Sequence, residues 1–406
     1  DFFNFTKSYN NISIENIPNC KPKRRIILTT NVAETGLTPE NGKYVIDSIF
    51  SNKMYFFPQE NCRALVPSPI VKANIIQRRG RVGRRAPGVW YPLTTKEIYS
   101  SMSDNDFPDI ILNDFSEGLL RLIIYHFCPE FDGNVSSDIK MNEDPFDYSS
   151  IKLLDPPSYD SFLKSSEKLF ILGLIDLKLR PTIFGLTAIG IRKISLESRK
   201  MIIHSSIINC QLSYIVSIVC CLNSLKFIPL RFNINSFKIL VEISKIITID
   251  DFVLNILLLE LCMQNNISKS FCKKYKLDQN EIFLILKQRD ELILEIRNSG
   301  LRIPKTNTSL INLFKIDLDL FLIAIRKIKI CAYEGFKLNL ILNKYENKYI
   351  TPFGFNVGTR SNYKFKTAIC SGFQLEKNKN DNPYRIYANN ICILDSFVTT
   401  DNLFHI

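Results

Sequence analysis

Eight consecutive residues carry most of the chemistry legible in this chain: Gln77-Arg78-Arg79-Gly80-Arg81-Val82-Gly83-Arg84. Arg81 and Arg84 lie three apart and share one face of a helix-like turn. Two guanidiniums on one face make a planar fork for phosphate oxygens. Gln77, four residues before Arg81, lies on nearly the same face and can orient a water or a phosphate. Gly80 and Gly83 let another backbone approach closely. A glutamine with two arginines suits the stabilisation of charge as a γ-phosphate is cleaved. Arginine-rich octamers also serve as localisation signals or generic nucleic-acid patches, so the segment has to be weighed with its surroundings.

Those surroundings are basic. The 406 residues carry a formal charge of +12. The first hundred hold 15 Lys and Arg against 7 Asp and Glu, or +8, which leaves +4 for all the rest. A basic excess confined to a quarter of the chain points to a polyanion, nucleic acid or nucleotide phosphate; the bland alternative is a solubility surplus. The composition, 46% hydrophobic and 23% charged, excludes a wholly disordered or fibrous chain. No run of 18 purely apolar residues predicts a membrane span, and Asp1–Asn10 has no signal-peptide pattern. Eleven cysteines without a CxxC pair, and only His126, His204 and His405, give no zinc ligand set. Cysteines scattered through apolar stretches fit reduced, buried thiols of an intracellular protein.

The elements expected to position the octamer come next. Ile26–Leu28 reads as a short buried strand, Thr29–Asn41 as a polar loop and Tyr44–Ile49 as a second apolar run. Parallel α/β sheets present ligand-binding loops this way at strand C-termini. Met54–Phe57 and Arg63–Val66 flank Pro58-Gln59-Glu60-Asn61 and predict a protruding hairpin. An amphipathic helix starts at Lys72, Gly80 and Gly83 break it, and Val89–Leu93 resumes as strand. Phe107–Tyr125 has helical rhythm. Residues 133–148 are acidic and loop-like. Ser158 is a plausible N-cap for a helix over Ser158–Leu172. Leu174–Leu177 and Ile183–Leu186 predict a β-hairpin after it, the pattern of a winged helix. From Ala188 to about Asn343 successive apolar-faced runs predict helices. From Tyr349 short runs, Thr351–Phe355, Phe365–Cys370, Tyr384–Tyr387 and Ile391–Leu394, predict a small β-structure.

The octamer resembles motif VI of superfamily 2 helicases. Upstream, TTNVAETGLT (Thr29–Thr38) resembles motif V of the DEAH/RHA group. Val45-Ile46-Asp47 falls where the group has VVD, and Ser68–Arg84 matches its SPISKASAQQRAGRAGR in register without a gap. Asp155-Pro156-Pro157, Leu172–Asp176 and Leu186–Gly190 are similar to the group's winged helix and its junction to a helical ratchet domain. Cys370-Ser371-Gly372-Phe373 is similar to the CAGFF that opens its OB-fold. Arg79 and Val82 stand where cellular members often have Ala, which leans toward viral members.

The resemblance implies a multidomain chain. A partial α/β RecA-like lobe would occupy residues 1–98 and a winged-helix region, with an acidic insertion near 133–148, residues 99–186. An all-α ratchet-like domain would occupy 187–345 and a small β, OB-like domain 346–406. It implies Arg81 and Arg84 as arginine fingers, Gln77 on the γ-phosphate or attacking water, Gly36 as a phosphate-contacting amide and Asp47 near the ribose. Thr30 and Asn31 would touch the RNA backbone, and Phe56 or Phe57 at the hairpin could stack on a base, packing at the hairpin being an equal alternative. Gly36 replaces the group's commoner serine, which removes a hydroxyl.

The implied partners are ATP, Mg²⁺ and RNA, as a single strand or a duplex with a single-stranded tail; a protein activator is compatible with the resemblance. The sequence contains no GxxxxGKS/T phosphate loop and no DEAH or DExH box, so the Mg²⁺ ligands are expected in a separate first lobe. The expectation is the C-terminal half of an ATP-dependent RNA helicase, inactive without that lobe. The alternatives are a non-catalytic RNA-binding scaffold derived from such a helicase, or a helicase acting on DNA and RNA alike.

Overall fold

The computed structural model describes residues 26–36, 42–59, 61–82, 87–131, 141–224, 227–228, 232–299, 301, 308–345, 348–352, 355–359, 365–376 and 385–394. They divide into two compact units, Asp1–Met54 with Leu65–Pro108, and Tyr55–Ala64 with Asp109–Ile406.

In the first unit a four-residue helix α1 (Val32–Thr35) precedes strand β1 (Tyr44–Asp47). Strands β2 (Phe50–Phe57) and β3 (Cys62–Pro69) form the expected hairpin. Helix α2 (Lys72–Arg79) ends at Gly80, and strand β4 (Val89–Pro92) leads to α3 (Lys96–Ser101), which Thr95 caps by accepting from the Ile98 amide. β1 and β4 pair in parallel, Tyr44 opposite Val89 and Asp47 opposite Pro92. Alternation along the strands sorts their side chains. Trp90 turns inward and packs with Tyr99 and Met102 on a core of Ile49, Ile70 and Ile75. Tyr44, Ile46, Val89 and Tyr91 are exposed.

One expectation fails in this unit. Ile26–Leu28 is irregular and exposed, Ile26 and Leu28 at 79% and 78%, and is not a buried strand. Strands of a parallel sheet are stable when covered on both faces and paired along an edge. Among the described residues the β1–β4 sheet offers this segment no pairing.

The second unit is built on one large core. α4 (Asp109–Leu112) and α5 (Ser116–Phe127) divide the predicted helical run, because Asp114 accepts from the Ser116 amide and hydroxyl and starts a new helix there. Part of the acidic stretch, residues 133–140, lies outside the described residues. Its continuation folds back on α5, with the Asn142 amide donating to the Phe127 carbonyl and Phe146 buried. Ser158 caps α6 (Tyr159–Ile171) as expected.

The hairpin predicted after α6 shrinks to a single bridge between Ile175 and Pro181. Asp176 accepts from the Lys178 and Arg180 amides and closes the turn. Thr182 then caps a helix, α7 (Ile183–Gly190), where a second strand was expected. A local side-chain cap here outcompetes the β preference of Ile183 and Phe184. Gly185 lets α7 lie against the preceding chain, since a Cβ there would fall 2.1 Å from the Leu174 carbonyl oxygen.

Among the described residues eight further helices follow: α8 (Leu196–Ile207), α9 (Leu212–Leu222), α10 (Lys238–Ser244), α11 (Asp251–Gln264), α12 (Lys269–Tyr275), α13 (Gln279–Asn298), α14 (Leu310–Ile316) and α15 (Leu318–Phe336). Lys168 of α6 sits among them between two carboxylates, 2.7 Å from Asp114 and 2.6 Å from Glu197. Burial alone would lower the lysine pKa, yet Glu197 and Asp114 raise it above its ordinary value. Burial likewise works to raise both carboxyls, and the lysine outweighs it and holds them low.

Among the described residues five strands follow the helices: β5 (Leu340–Tyr345), β6 (Lys348–Ile350), β7 (Asn356–Thr359), β8 (Thr367–Glu376) and β9 (Arg385–Ile393). Their order is β8-β5-β6-β7-β9, with β9 returning to β8, so the sheet closes into a barrel. β7 and β9 run parallel and the other barrel pairs antiparallel. The barrel therefore begins at Leu340, inside the stretch expected to be helical through Asn343. Thr351 and Phe355 bond to each other, Phe353 and Gly354 of the strand predicted there lie outside the described residues, and a strand starts at Asn356. Helical side chains grip the barrel. Asp250 accepts from the Ile393 amide and pairs with Lys329, which donates to the Ile393 carbonyl, while Asp251 accepts from the Ile391 amide.

The hairpin tip belongs to this unit as well. Cys62–Ala64 of β3 pairs in parallel with Phe373–Leu375 of β8, and Asn61 donates to Asn339 at 2.8 Å. All ten described cysteines are free and buried.

Candidate functional site

α2 carries the octamer's first three residues on a regular helix, and the chain leaves that helix at Gly80 in a turn that holds Arg81. Asn74 and Arg78, four apart, share the helix face turned toward α1. Glu34 of α1 receives both. Asn74 donates to one carboxylate oxygen at 2.6 Å and Arg78 Nε to the other at 3.0 Å. Arg78 Nη1 reaches Asp47 at 2.9 Å and the Phe50 carbonyl at 3.3 Å. One guanidinium thus spans two carboxylates, with side-chain exposures of 13% for Arg78, 11% for Glu34 and 2% for Asp47. Arg81 donates to the backbone carbonyl of Glu34.

These contacts gather segments far apart in sequence. The loop of Thr29–Gly36 and the end of α2 are joined at Glu34, which the sequence reading did not single out. Nor did it assign Asn74, or give Arg78 a role of its own. A lone acid in a basic segment, and an Asn and an Arg at helical spacing, were the available signals.

The expected site residues fall into three groups. Arg81 lies at the junction. Thr30, Asn31 and Gln77 are exposed beside it in sequence or on α2. The Thr30 hydroxyl accepts from the Val32 amide at 3.4 Å, and the Asn31 side chain caps nothing in α1. Asp47 is committed inward, and Gly36 is exposed with its amide already taken. The Gly36 amide donates to the Val32 carbonyl at 3.0 Å, and Asp47 Oδ1 accepts from the Ile49 amide as well as from Arg78. Arg84 lies outside the described residues. A groove lined by Ile76, Arg79, Gly80, Val82, Gly88 and Trp90 opens beside the turn that holds Arg81.

At the hairpin the two phenylalanines separate. Phe57 packs against the barrel core, and Phe56 lines a small cavity with Pro58, Gln59, Asn61, Ser161 and Lys164. Among the described residues no three His, Cys, Asp or Glu side chains converge to hold a metal ion, and no helix is long and apolar enough to cross a membrane.

Residues 5–86 match the helicase conserved C-terminal domain. A protein of African swine fever virus that bears the name of an RNA helicase is 35% identical over 156 residues, 38% of this chain and 15% of the viral one. A protein of Acanthamoeba polyphaga mimivirus that bears the name of an ATP-dependent RNA helicase is 39% identical over 100 residues, 25% of this chain and 14% of that protein. The crystal structure of the E. coli DExH-box NTPase HrpB superposes with a TM-score of 0.61 at 17% identity, covering 94% of this chain and 37% of that one. The matches thus span a small part of the viral relatives' length, and the fold is that of a RecA-like lobe followed by a helical domain.

Proposed function

We propose that this chain, the C-terminal half of a superfamily 2 helicase of the DExH/DEAH type, acts within an ATP-dependent RNA helicase that moves along single-stranded RNA and separates duplexes. The observation that carries the proposal is the placement of Arg81. It is held to the carbonyl of Glu34, three residues beyond the exposed Asn31. A cation suited to the outer phosphates of a nucleotide and a polar loop suited to a sugar-phosphate backbone therefore share one short helix. Contacts to phosphate carry no sequence information, which suits a motor that steps along any strand.

In this reading Arg81 and Arg84 stabilise charge developing at the γ-phosphate, and Gln77 orients the attacking water. Thr30 and Asn31 hold the RNA backbone. Asp47 acts through Arg78 rather than at the ribose, because its carboxylate is buried against that guanidinium. The donor set fits the outer side of a triphosphate, being cationic and rich in N–H groups. It does not fit Mg²⁺, whose carboxylate ligands belong to a first lobe carrying the phosphate loop and DExH box. The bound triphosphate supplies the free energy of its hydrolysis to lobe closure and opening. α5 to α7 with their single β bridge serve as the winged helix, α8 to α15 as the ratchet and the closed barrel as the OB-like domain. Viral relatives and a reduced thiol set support an intracellular or virion setting.

The test is Arg81→Ala in a protein carrying both lobes. ATP hydrolysis stimulated by RNA should fall by about a thousandfold or more, the usual worth of an arginine finger, while affinity for single-stranded RNA is retained. Turnover within tenfold of the parent would overturn the assignment. Matched RNA and DNA duplexes in an unwinding assay decide the strand preference. Loss of all nucleotide turnover in the unaltered protein would favour the scaffold reading.

A further inference from the structure

Helix α15 carries apolar residues on both of its sides. Phe321, Ile325 and Ile328 are buried in the large core, and Lys329 fixes the helix there through Asp250 and the Ile393 carbonyl. The opposite side of its first turns faces solvent. Leu318, Leu320, Leu322 and Ile323 are all exposed, next to Ile316 at the end of α14, which is 83% exposed. A helix packed on a core ordinarily sets polar residues on its outer face. One exposed leucine is commonplace, whereas five large apolar residues within eight positions form a patch that marks an interaction surface.

Two charges frame the centre of this patch. Asp319 and Arg326 are exposed, and among the described residues neither has a hydrogen bond or an ion pair. Seven residues separate them, so they point the same way two turns apart, about 10 Å along the axis. That distance keeps them from pairing with each other. Leu322 and Ile323 lie between them, each three or four residues from either charge and on the same face. The helix dipole accounts for an acid in the first turn, but not for an arginine in mid-helix or for the apolar pair between.

Along this face the order is acid, two apolar residues, base. Reversing the direction of the helix gives base, two apolar residues, acid, which is its complement. The midpoint between Asp319 and Arg326 is also the midpoint between Leu322 and Ile323, both along the axis and around it. A single two-fold axis therefore serves all four residues. We propose that this face binds the same face of a second copy of the chain, the two α15 helices running antiparallel about an axis between Leu322 and Ile323. Asp319 of each copy meets Arg326 of the other, and Leu322 meets Ile323. A partner of one charge sign would leave half of this pattern repelled, whereas a second copy satisfies both signs. Contact of this kind is isologous and closes at two copies. A patch of a few side chains makes a modest interface, so association in the micromolar range is expected. The pairing does not depend on the reading of the first unit.

Sedimentation velocity on the whole chain, from about 1 to 100 µM, measures the association. The parent should pass from monomer to dimer across that range. Asp319→Arg and Arg326→Asp each place like charges opposite one another at both ends of the contact, and each should weaken self-association about tenfold or more. Mixed in equal amounts, the two variants should associate again to within about threefold of the parent, since each carries the charge that the other lacks. Asp319→Lys and Arg326→Glu form a second such pair, and unchanged helical circular dichroism shows that the variants are folded. Leu322→Glu should abolish association. A parent that stays monomeric at every concentration would overturn the proposal. So would a dimer indifferent to both single reversals, because the contact would then lie elsewhere. Reversals that weaken association but do not recover on mixing would overturn the two-fold antiparallel pairing.

Discussion

Two charge networks in this molecule share a formula and differ in setting. In the first unit Arg78 lies between Glu34 and Asp47; in the second Lys168 lies between Asp114 and Glu197. Each is one cation spanning two carboxylates. Lys168 is surrounded by the largest core of the chain, near fully buried Leu119, Leu120, Leu169 and Leu172, and it joins α6 to α8. Nothing there can move without opening the core. Arg78 joins α2 to a single turn of helix that buries nothing. Close-packed surroundings turn an ion pair into a fixed joint, whereas thin packing leaves it able to make and break.

That contrast can be broken by experiment. The largest effect is expected from Lys168→Ala, which leaves two buried carboxylates without a cation. A loss of about 3–5 kcal/mol is expected, read as a lower urea midpoint by far-ultraviolet circular dichroism, which is dominated by the helical unit. A midpoint equal to the parent's would mean that the joint is not fixed. Arg78→Ala should cost less, about 2–3 kcal/mol, because the helical turn it ties to α2 buries no side chain of its own. Trp90 is the one tryptophan in the chain and lies in the first unit, so its fluorescence should report that loss while the dichroism midpoint stays in place. Coincident shifts in both signals would erase the distinction between the two networks.

The smallest and most selective effect is with pH. Asp114 and Glu197 have folded pKa values below their ordinary 3.8 and 4.5. A lowered carboxyl pKa contributes stability that is present above the ordinary value and lost as pH falls through the folded one. The thermal midpoint of the second unit should therefore hold from pH 7 to about pH 5 and decline steadily below about 4.5. A flat profile down to pH 3.5 in the parent would contradict the paired state of these groups.

The sequence was most informative where chemistry is local. Ser158 as a cap, the break of α2 at Gly80 and the hairpin around Pro58 follow from side-chain and turn preferences acting over a few residues. Ile26–Leu28 misled because an apolar triplet states a preference for burial but not whether a neighbouring strand exists to provide it. The predicted wing failed at Ile183 because Thr182, a single capping hydroxyl, outweighed two β-prone residues. Leu340–Tyr345 followed a long helix and borrowed its apolar rhythm, so the first barrel strand was hidden. In the site, the motif made Arg81 a candidate, whereas Asp47 was expected near the nucleotide's ribose and is buried against Arg78. Its partner Arg78 lies 31 positions away, and a contact across that separation leaves no periodic trace.

The parallel pairing of Cys62–Ala64 with Phe373–Leu375 also bears on how the chain is made. About three hundred residues separate the partners. At ribosomal speeds of about 5–20 residues per second, the hairpin tip waits roughly 15–60 s before its partner strand exists. Throughout that interval it presents an open strand edge, the kind of surface that pairs with whatever arrives first. Order of synthesis thus sets a period of exposure for the tip, and slowing translation between the helices and the barrel should raise the yield of aggregated chain.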